Sequence, residues 1–309
     1  MAPVIIAKGL TKVYDRSTVV DNLNLQIEEN QIFGFLGPNG AGKTTTILMM
    51  MGLTEPTKGE SYIGGFNSTR EPLKVKRITG YIPEKVGFYE DLTASYNLMY
   101  TAKLNGLSDT KAKQATDQAL EKVGLKEKMG SLVGTFSKGM KQRLAIADIL
   151  VKSPQVAFLD EPTTGIDPAG ITQMLDLISQ IARENKMTIV MSSHQLSQVE
   201  RICTHVGIMS KGKLITEGSI SQLSKKAGGN KINIEIQLAE ITVDIVEAVR
   251  GVKGVLKVDR HDDTIIVSCN DDLRREISKV IQEKNGLVIQ MKLQSYALED
   301  IYLKYFKEA

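Results

Sequence analysis

"GPNGAGKTT", residues Gly37 to Thr45, follows a short apolar run, "QIFGFL", and opens a helical pattern, "KTTTILMMMGL". It satisfies the pattern G-x-x-x-x-G-K-[ST], whose residue types answer to the shape of a polyphosphate. Gly37, Gly40 and Gly42 let the backbone curl around phosphate oxygens and turn its N–H groups inward. Pro38, Asn39 and Ala41 complete the loop. The helix that follows presents its positive end to the same anion. Lys43 would reach the terminal phosphates as a point charge, Thr44 would offer its hydroxyl to Mg²⁺, and Thr45 continues the first turn. A glycine-rich turn with a chance lysine is the bland alternative, and the strand–loop–helix context speaks against it.

Two further apolar runs end in polar residues, as strands of a sheet do where α/β folds bind ligands. "QVAFLDEP" carries Asp160, suited to the water shell of a metal, and Glu161, suited to orienting a water or taking its proton. Two acids at a strand end would by themselves be a loop with a helix cap; beside the phosphate loop they read as its partners. "KMTIVMSSH" ends in His194. Alone it reads as a surface or capping residue, and next to a γ-phosphate it would hydrogen-bond both phosphate and water.

The rest of the chain frames these runs. Its first part alternates short apolar runs with helical patterns, which calls for a mostly parallel sheet covered by helices. From about Pro72 to Val151 the pattern turns helical, with a helical subdomain at about 85–152 between two core strands. "HVGIMSKGKLITEGS" reads as a hairpin turning at Lys211-Gly212-Lys213. "SISQLSKKAGGNK" marks a boundary between domains at 1–222 and 231–309. Beyond it the order β-α-β-β-α-β suggests a small α+β, ferredoxin-like unit, closed by an amphipathic helix, "YALEDIYLKYFKEA".

Composition narrows the classes. A chain of 309 residues exceeds one ordinary core. A formal charge of +3, no Trp and 5% aromatics argue against a nucleic-acid partner. Cys203 and Cys269 lack metal-ligand spacing and read as buried thiols. The N-terminus shows no secretory signal, and "ILMMMGL" is far too short to span a bilayer, which takes about 20 residues. Work at a membrane would need another protein to hold the chain there.

The ordered set of motifs resembles the ATP-binding cassette family, the nucleotide-binding subunits of ABC transporters, over about the first 220 residues. The resemblance implies an α/β P-loop ATPase with a mixed sheet core and a helical subdomain, using ATP and Mg²⁺. It makes Tyr14 in "TKVYD" the aromatic that stacks on adenine, although a tyrosine on a strand edge reads equally well from the residue itself. It makes Thr163–Asp167 the loop that meets a partner subunit, and His194 the switch histidine. "TFSKGMKQR", Thr135 to Arg143, matches the family's signature segment. There Ser137 and Gly139 would face the γ-phosphate bound by a second copy, two copies pairing head-to-tail around two ATP molecules. A helix merely capped by Ser137 is the simpler reading of the same atoms.

Phe136, Lys138 and Met140 depart from the family's Leu-Ser-Gly-Gly-Gln, and Glu84 stands where most members carry Gln. Glu84 would still contact Mg²⁺ directly or through water, and its segment would couple the site to an integral membrane permease. These variants, with the closing "LEDIYLKYF", look like the drug, sodium and polysaccharide export branch. That implies peripheral attachment to the cytoplasmic face of the cell membrane through the permease. Two alternatives remain: an importer ATPase with a C-terminal sensor, and a non-transport member of the family.

Overall fold

The computed structural model describes residues 3–223, 232–261, 263–294 and 302. β1 (Pro3–Tyr14) and β2 (Ser17–Glu28) form a long antiparallel hairpin. Asp15 and Arg16 turn it at φ 43° and 73°, the left-handed backbone that a two-residue hairpin turn needs. β3 (Ile32–Leu36) enters the glycine-rich loop and α1 (Lys43–Met50) leaves it. β4 (Lys58–Ile63) and the short β5 (Phe66–Asn67) complete an antiparallel sheet ordered β2-β1-β4-β5. The expectation of a mostly parallel first half leaves this sheet out. Its trace is the alternation in "LNLQI", where Leu23, Leu25 and Ile27 are buried while Asn24 and Gln26 are exposed.

α2 (Pro72–Ile78) runs without a loop into β6 (Thr79–Ile82). The stretch read as wholly helical therefore contains a core strand, too short to show against the helix that feeds it. α3 (Ala94–Leu104), α4 (Asp109–Lys122) and α5 (Lys138–Lys152) pack on one another in pairs. Thr93 caps α3, its side chain accepting from the Tyr96 amide.

β7 (Val156–Asp160), α6 (Pro168–Glu184), β8 (Thr188–Ser193), α7 (Leu196–Ile202) and β9 (His205–Ser210) alternate as a parallel sheet demands. β10 (Lys213–Ser219) returns beside β9. Lys211 and Gly212 make the turn at φ 47° and 81°, and Lys213 already opens the strand. The second sheet is ordered β10-β9-β3-β8-β7-β6. β3 pairs in parallel with both β8 and β9, and β7 with both β6 and β8. Every residue of β3, β7 and β8 is buried, which is why they read as unbroken apolar runs. One apolar cluster, including Ile5, Leu25, Phe35, Ile47, Phe158 and Val190, joins the two sheets to α1. The loops at the carboxyl ends of β3, β7 and β8 are thereby fixed side by side.

By contact the chain divides into two units, Met1–Glu217 and Gly218–Ala309. The second contains β11 (Ile232–Leu238), α8 (Val243–Arg250), β12 (Val255–His261), β13 (Thr264–Cys269), α9 (Arg274–Glu283) and β14 (Val288–Gln294). Its antiparallel sheet is ordered β12-β13-β11-β14, the first and third strands lying at the centre as a split β-α-β unit requires. Ile234, Ile236, Ile245, Val249, Ile277 and Ile281 fill its core. Most of the expected boundary segment and of the closing helix lies outside the described residues.

Phe158 is fully buried at the centre of β7. Phe158→Ala is expected to lower the unfolding free energy by about 3–5 kcal/mol, measured as a shift in the denaturant midpoint at constant m-value.

Candidate functional site

The loop from Gly37 to Gly42 is shaped by positions that tolerate no side chain. A Cβ on Gly37 would stand 2.3 Å from the Met209 carbonyl oxygen. Gly42, at φ 97°, would place one 2.6 Å from the carbonyl oxygen of Val19. β2 and the end of β9 thus press against the loop from outside, which holds its curl.

Lys43 is 6% exposed. Its ammonium donates to the carbonyls of Gly37, at 2.7 Å, and Pro38, at 3.1 Å, and lies 3.7 Å from Glu161 Oε1. Burial pulls its pKa below the ordinary lysine value. The Glu161 and Asp160 carboxylates, and more weakly Glu84, pull the other way and favour the charged form. Thr44 Oγ1 donates to Asp160 at 2.8 Å, so the first helical turn of α1 is tied to the end of β7.

Glu161 follows Asp160 at φ 49°, a left-handed conformation uncommon for a side-chain-bearing residue. The turn aims its carboxylate toward Lys43 and His194. Glu161 Oε2 shares a hydrogen bond of 2.9 Å with His194 Nδ1. Glu161 Oε1 is buried with no hydrogen-bond partner. Such an atom costs free energy unless a donor arrives, and it lies beside a buried ammonium. The Tyr81 hydroxyl on β6 is pushed up to about 12, by burial first and then by Asp160, so it stays neutral.

Ser192, fully buried at the end of β8, was not among the sequence candidates. Its hydroxyl donates to Asp160 Oδ1 at 2.5 Å and accepts from the Glu161 amide at 2.9 Å. One side chain thereby fixes both acids. The only sequence signal was its place in "SSH", where the histidine drew attention first.

The structure brings Lys43, Thr44, Asp160, Glu161 and His194 together, with Glu84 near enough to act on Lys43. Glu84 itself is exposed. Tyr14 ends β1, 45% exposed, with the Lys12 ammonium 4.8 Å above its ring. Ser137 caps α5, its hydroxyl accepting from the Met140 amide at 3.3 Å. Among the described residues no hydrogen bond or ion pair joins Ser137 or Gly139 to the cluster around Lys43. Chemically, the cluster offers a curled backbone, one buried cation, a hydroxyl–carboxylate pair and a carboxylate–imidazole pair. That donor set fits a polyphosphate with a hard divalent cation, which keeps most of its ligands from phosphate and water.

The chain is similar to known proteins. The family model described as "ABC transporter" matches residues 20–164. The bacitracin transport ATP-binding protein BcrA of Bacillus licheniformis is 40% identical over 98% of this chain and 97% of its own length. The linearmycin resistance ATP-binding protein LnrL of Bacillus subtilis (strain 168) is 36% identical over 83% and 82%. In fold, the chain resembles the dimeric, post-hydrolysis structure of the ATP-binding cassette MJ0796 bound to ADP and Pi. Its TM-score is 0.64 at 23% identity, covering 70% of this chain and 98% of that one.

Ser192→Ala removes one of the two hydroxyls that donate to Asp160, Thr44 being the other, and leaves the Glu161 amide without its acceptor. The expected loss is about 1–3 kcal/mol of unfolding free energy, measured by chemical denaturation against the parent protein.

Proposed function

This chain belongs to the family of ABC transporter ATP-binding subunits, and from that premise we propose that two copies close head-to-tail around ATP to power export through a separate membrane permease. The observation that carries the reading is the buried Glu161 Oε1, paired in charge with Lys43 yet without a hydrogen bond among the described residues, on a carboxylate whose other oxygen bonds His194. A group so placed is held ready for a proton donor such as an attacking water.

The backbone N–H groups of Gly37–Thr45 receive the phosphates. Lys43, held by its own loop's carbonyls, turns its ammonium to the β- and γ-phosphates. Tyr14 offers its exposed ring to adenine. Thr44 and Asp160 would hold Mg²⁺, with Glu84 as a further ligand directly or through water, and the ion would supply charge to offset the phosphates. Glu161 orients the attacking water and takes its proton. His194, bonded to Glu161, turns its other nitrogen to the γ-phosphate.

Ser137 and Gly139 complete the second copy's site. Ser137 is exposed at a helix N-terminus and unconnected by hydrogen bonds to its own phosphate loop, which suits a group that serves the opposite subunit. Hydrolysis weakens this bridge and the pair reopens.

The permease docks on the helical part. Tyr89, Tyr96, Tyr100 and Leu104 are 58%, 62%, 44% and 70% exposed, a concentration of apolar surface of the kind that marks an interface. Among the described residues no helix is long and apolar enough to cross a membrane, so attachment at the cytoplasmic face runs through that partner. The linearmycin resistance relative favours export of a toxic compound over import. The second unit modulates the cassette or meets its copy.

Glu161→Gln is expected to bind ATP and to hydrolyse it about 10²–10³ times more slowly, the loss seen for a preorganised catalytic group. It should accumulate an ATP-bound dimer on size-exclusion chromatography; wild-type turnover would overturn the assignment. Ser137→Ala should weaken ATP-driven dimerisation about tenfold, roughly the worth of a hydrogen bond to a charged group. Nucleotide affinity of the monomer, measured by calorimetry, should change less than twofold; an equal loss of both would place Ser137 at its own copy's site.

A further inference from the structure

Behind the catalytic edge lies a buried amide. Gln198, on α7, is 3% exposed. Its Oε1 accepts from Thr163 Oγ1 at 2.6 Å and from Ser193 Oγ at 3.2 Å, and its Nε2 donates to Gln195 Oε1 at 2.7 Å. Gln195 is drawn in a second time, its amide donating to Ser193 Oγ at 3.0 Å. Thr163 and Ser193 are themselves buried, at 3% and 0% exposure. In such surroundings the Thr163 hydroxyl depends on the amide for its partner, while the Ser193 hydroxyl also bonds the Gln195 backbone.

The position of these bonds matters more than their number. Thr163 lies two residues past Glu161, at the head of the segment Thr163–Asp167. Ser193 and Gln195 flank His194. One side chain thus grips both loops that carry the Glu161–His194 pair.

The middle of the segment lies against the Lys138 side chain. Gly165 sits at φ 74°, and a Cβ there would fall 2.2 Å from the Lys138 ammonium. Lys138 opens α5 directly after Ser137. The Ile166 amide donates to the Thr163 carbonyl at 3.2 Å and closes the turn. Hydrogen bonds therefore run from Thr163 through Gln198 to the loop bearing His194, and the Lys138 side chain lies against the same segment at Gly165.

We propose that Gln198 is a positioning residue that locks the Thr163–Asp167 segment to the His194 loop. The inference rests on the ATPase reading and adds a residue that holds the hydrolytic pair in place. Spatial continuity alone does not establish coupling; non-additive effects of paired substitutions do.

The experiment measures steady-state ATP hydrolysis by the full chain carrying Gln198→Leu, Gln198→Glu, Thr163→Val, or Gln198→Leu with Thr163→Val, with Tm recorded for each. Gln198→Leu should lower kcat about ten- to a hundredfold, the effect of a small misplacement of catalytic groups, with KM for ATP within about twofold. Gln198→Glu, which keeps an oxygen facing both hydroxyls, should recover most of that loss. Thr163→Val should slow turnover similarly, and the double variant should be no slower than Gln198→Leu alone. If Gln198→Leu does not fold, Thr163→Val decides: a wild-type kcat overturns the proposal.

A folded Gln198→Leu turning over at the wild-type rate, or losses that simply multiply in the double variant, also overturns it. In either case Glu161→Gln would still be slow, and the parent reading would stand. A wild-type chain without ATPase activity would bring down the parent reading and this inference together.

Discussion

A buried ammonium facing two carboxylates is the constraint on which the cassette depends. Lys43 has lost most of its water, and Asp160 and Glu161 favour the charge it must keep. An ion taken from water without such compensation costs several kcal/mol. The compensation requires three strand ends to stay in register, because Lys43 follows β3, the acids end or follow β7, and Ser192 lies on β8. The completely buried parallel strands supply that register. Glu161's left-handed backbone is the local strain accepted for it.

Much of this was legible in the sequence, for a physical reason. Strands buried on both faces carry short unbroken apolar stretches, so "IFGFL", "VAFL" and "IVM" announce themselves. A loop that wraps phosphate must place glycine where a Cβ would strike neighbouring backbone, so Gly37 and Gly42 do too. Ser137 as a helix cap was visible from residue type. The strand Thr79–Ile82 was hidden because α2 runs straight into it and four residues carry no period. The antiparallel sheet was hidden behind the stronger signal of the parallel core. Ser192 and Gln198 escaped altogether: a hydroxyl and an amide gain meaning only from groups that the fold brings near. Ser192 is 32 residues from Asp160 and Gln198 is 35 from Thr163.

The division of labour within the chain follows from the same geometry. One face carries the phosphate loop, metal-binding groups and hydrolytic pair. The Ser137 end of α5 presents an anion-seeking surface with no hydrogen bond to that face. In the proposed reading neither half is sufficient alone, which would couple nucleotide state to association. On that reading ATP would supply the charge that draws the two surfaces together, and its cleavage would remove the terminal group that the second surface reads. The Tyr-rich surface of the helical part lies on the same chain segment as Glu84 and the start of α5, so a partner seated there would feel closure directly.

The central claim is that the hydrolytic site is shared between two copies. Specific ATPase activity measured at saturating Mg-ATP across a wide range of protein concentration tests it most directly. A shared site requires activity per molecule to climb with concentration and then level off as the dimer saturates. Activity per molecule that stays constant down to concentrations at which only monomer is present would contradict the account.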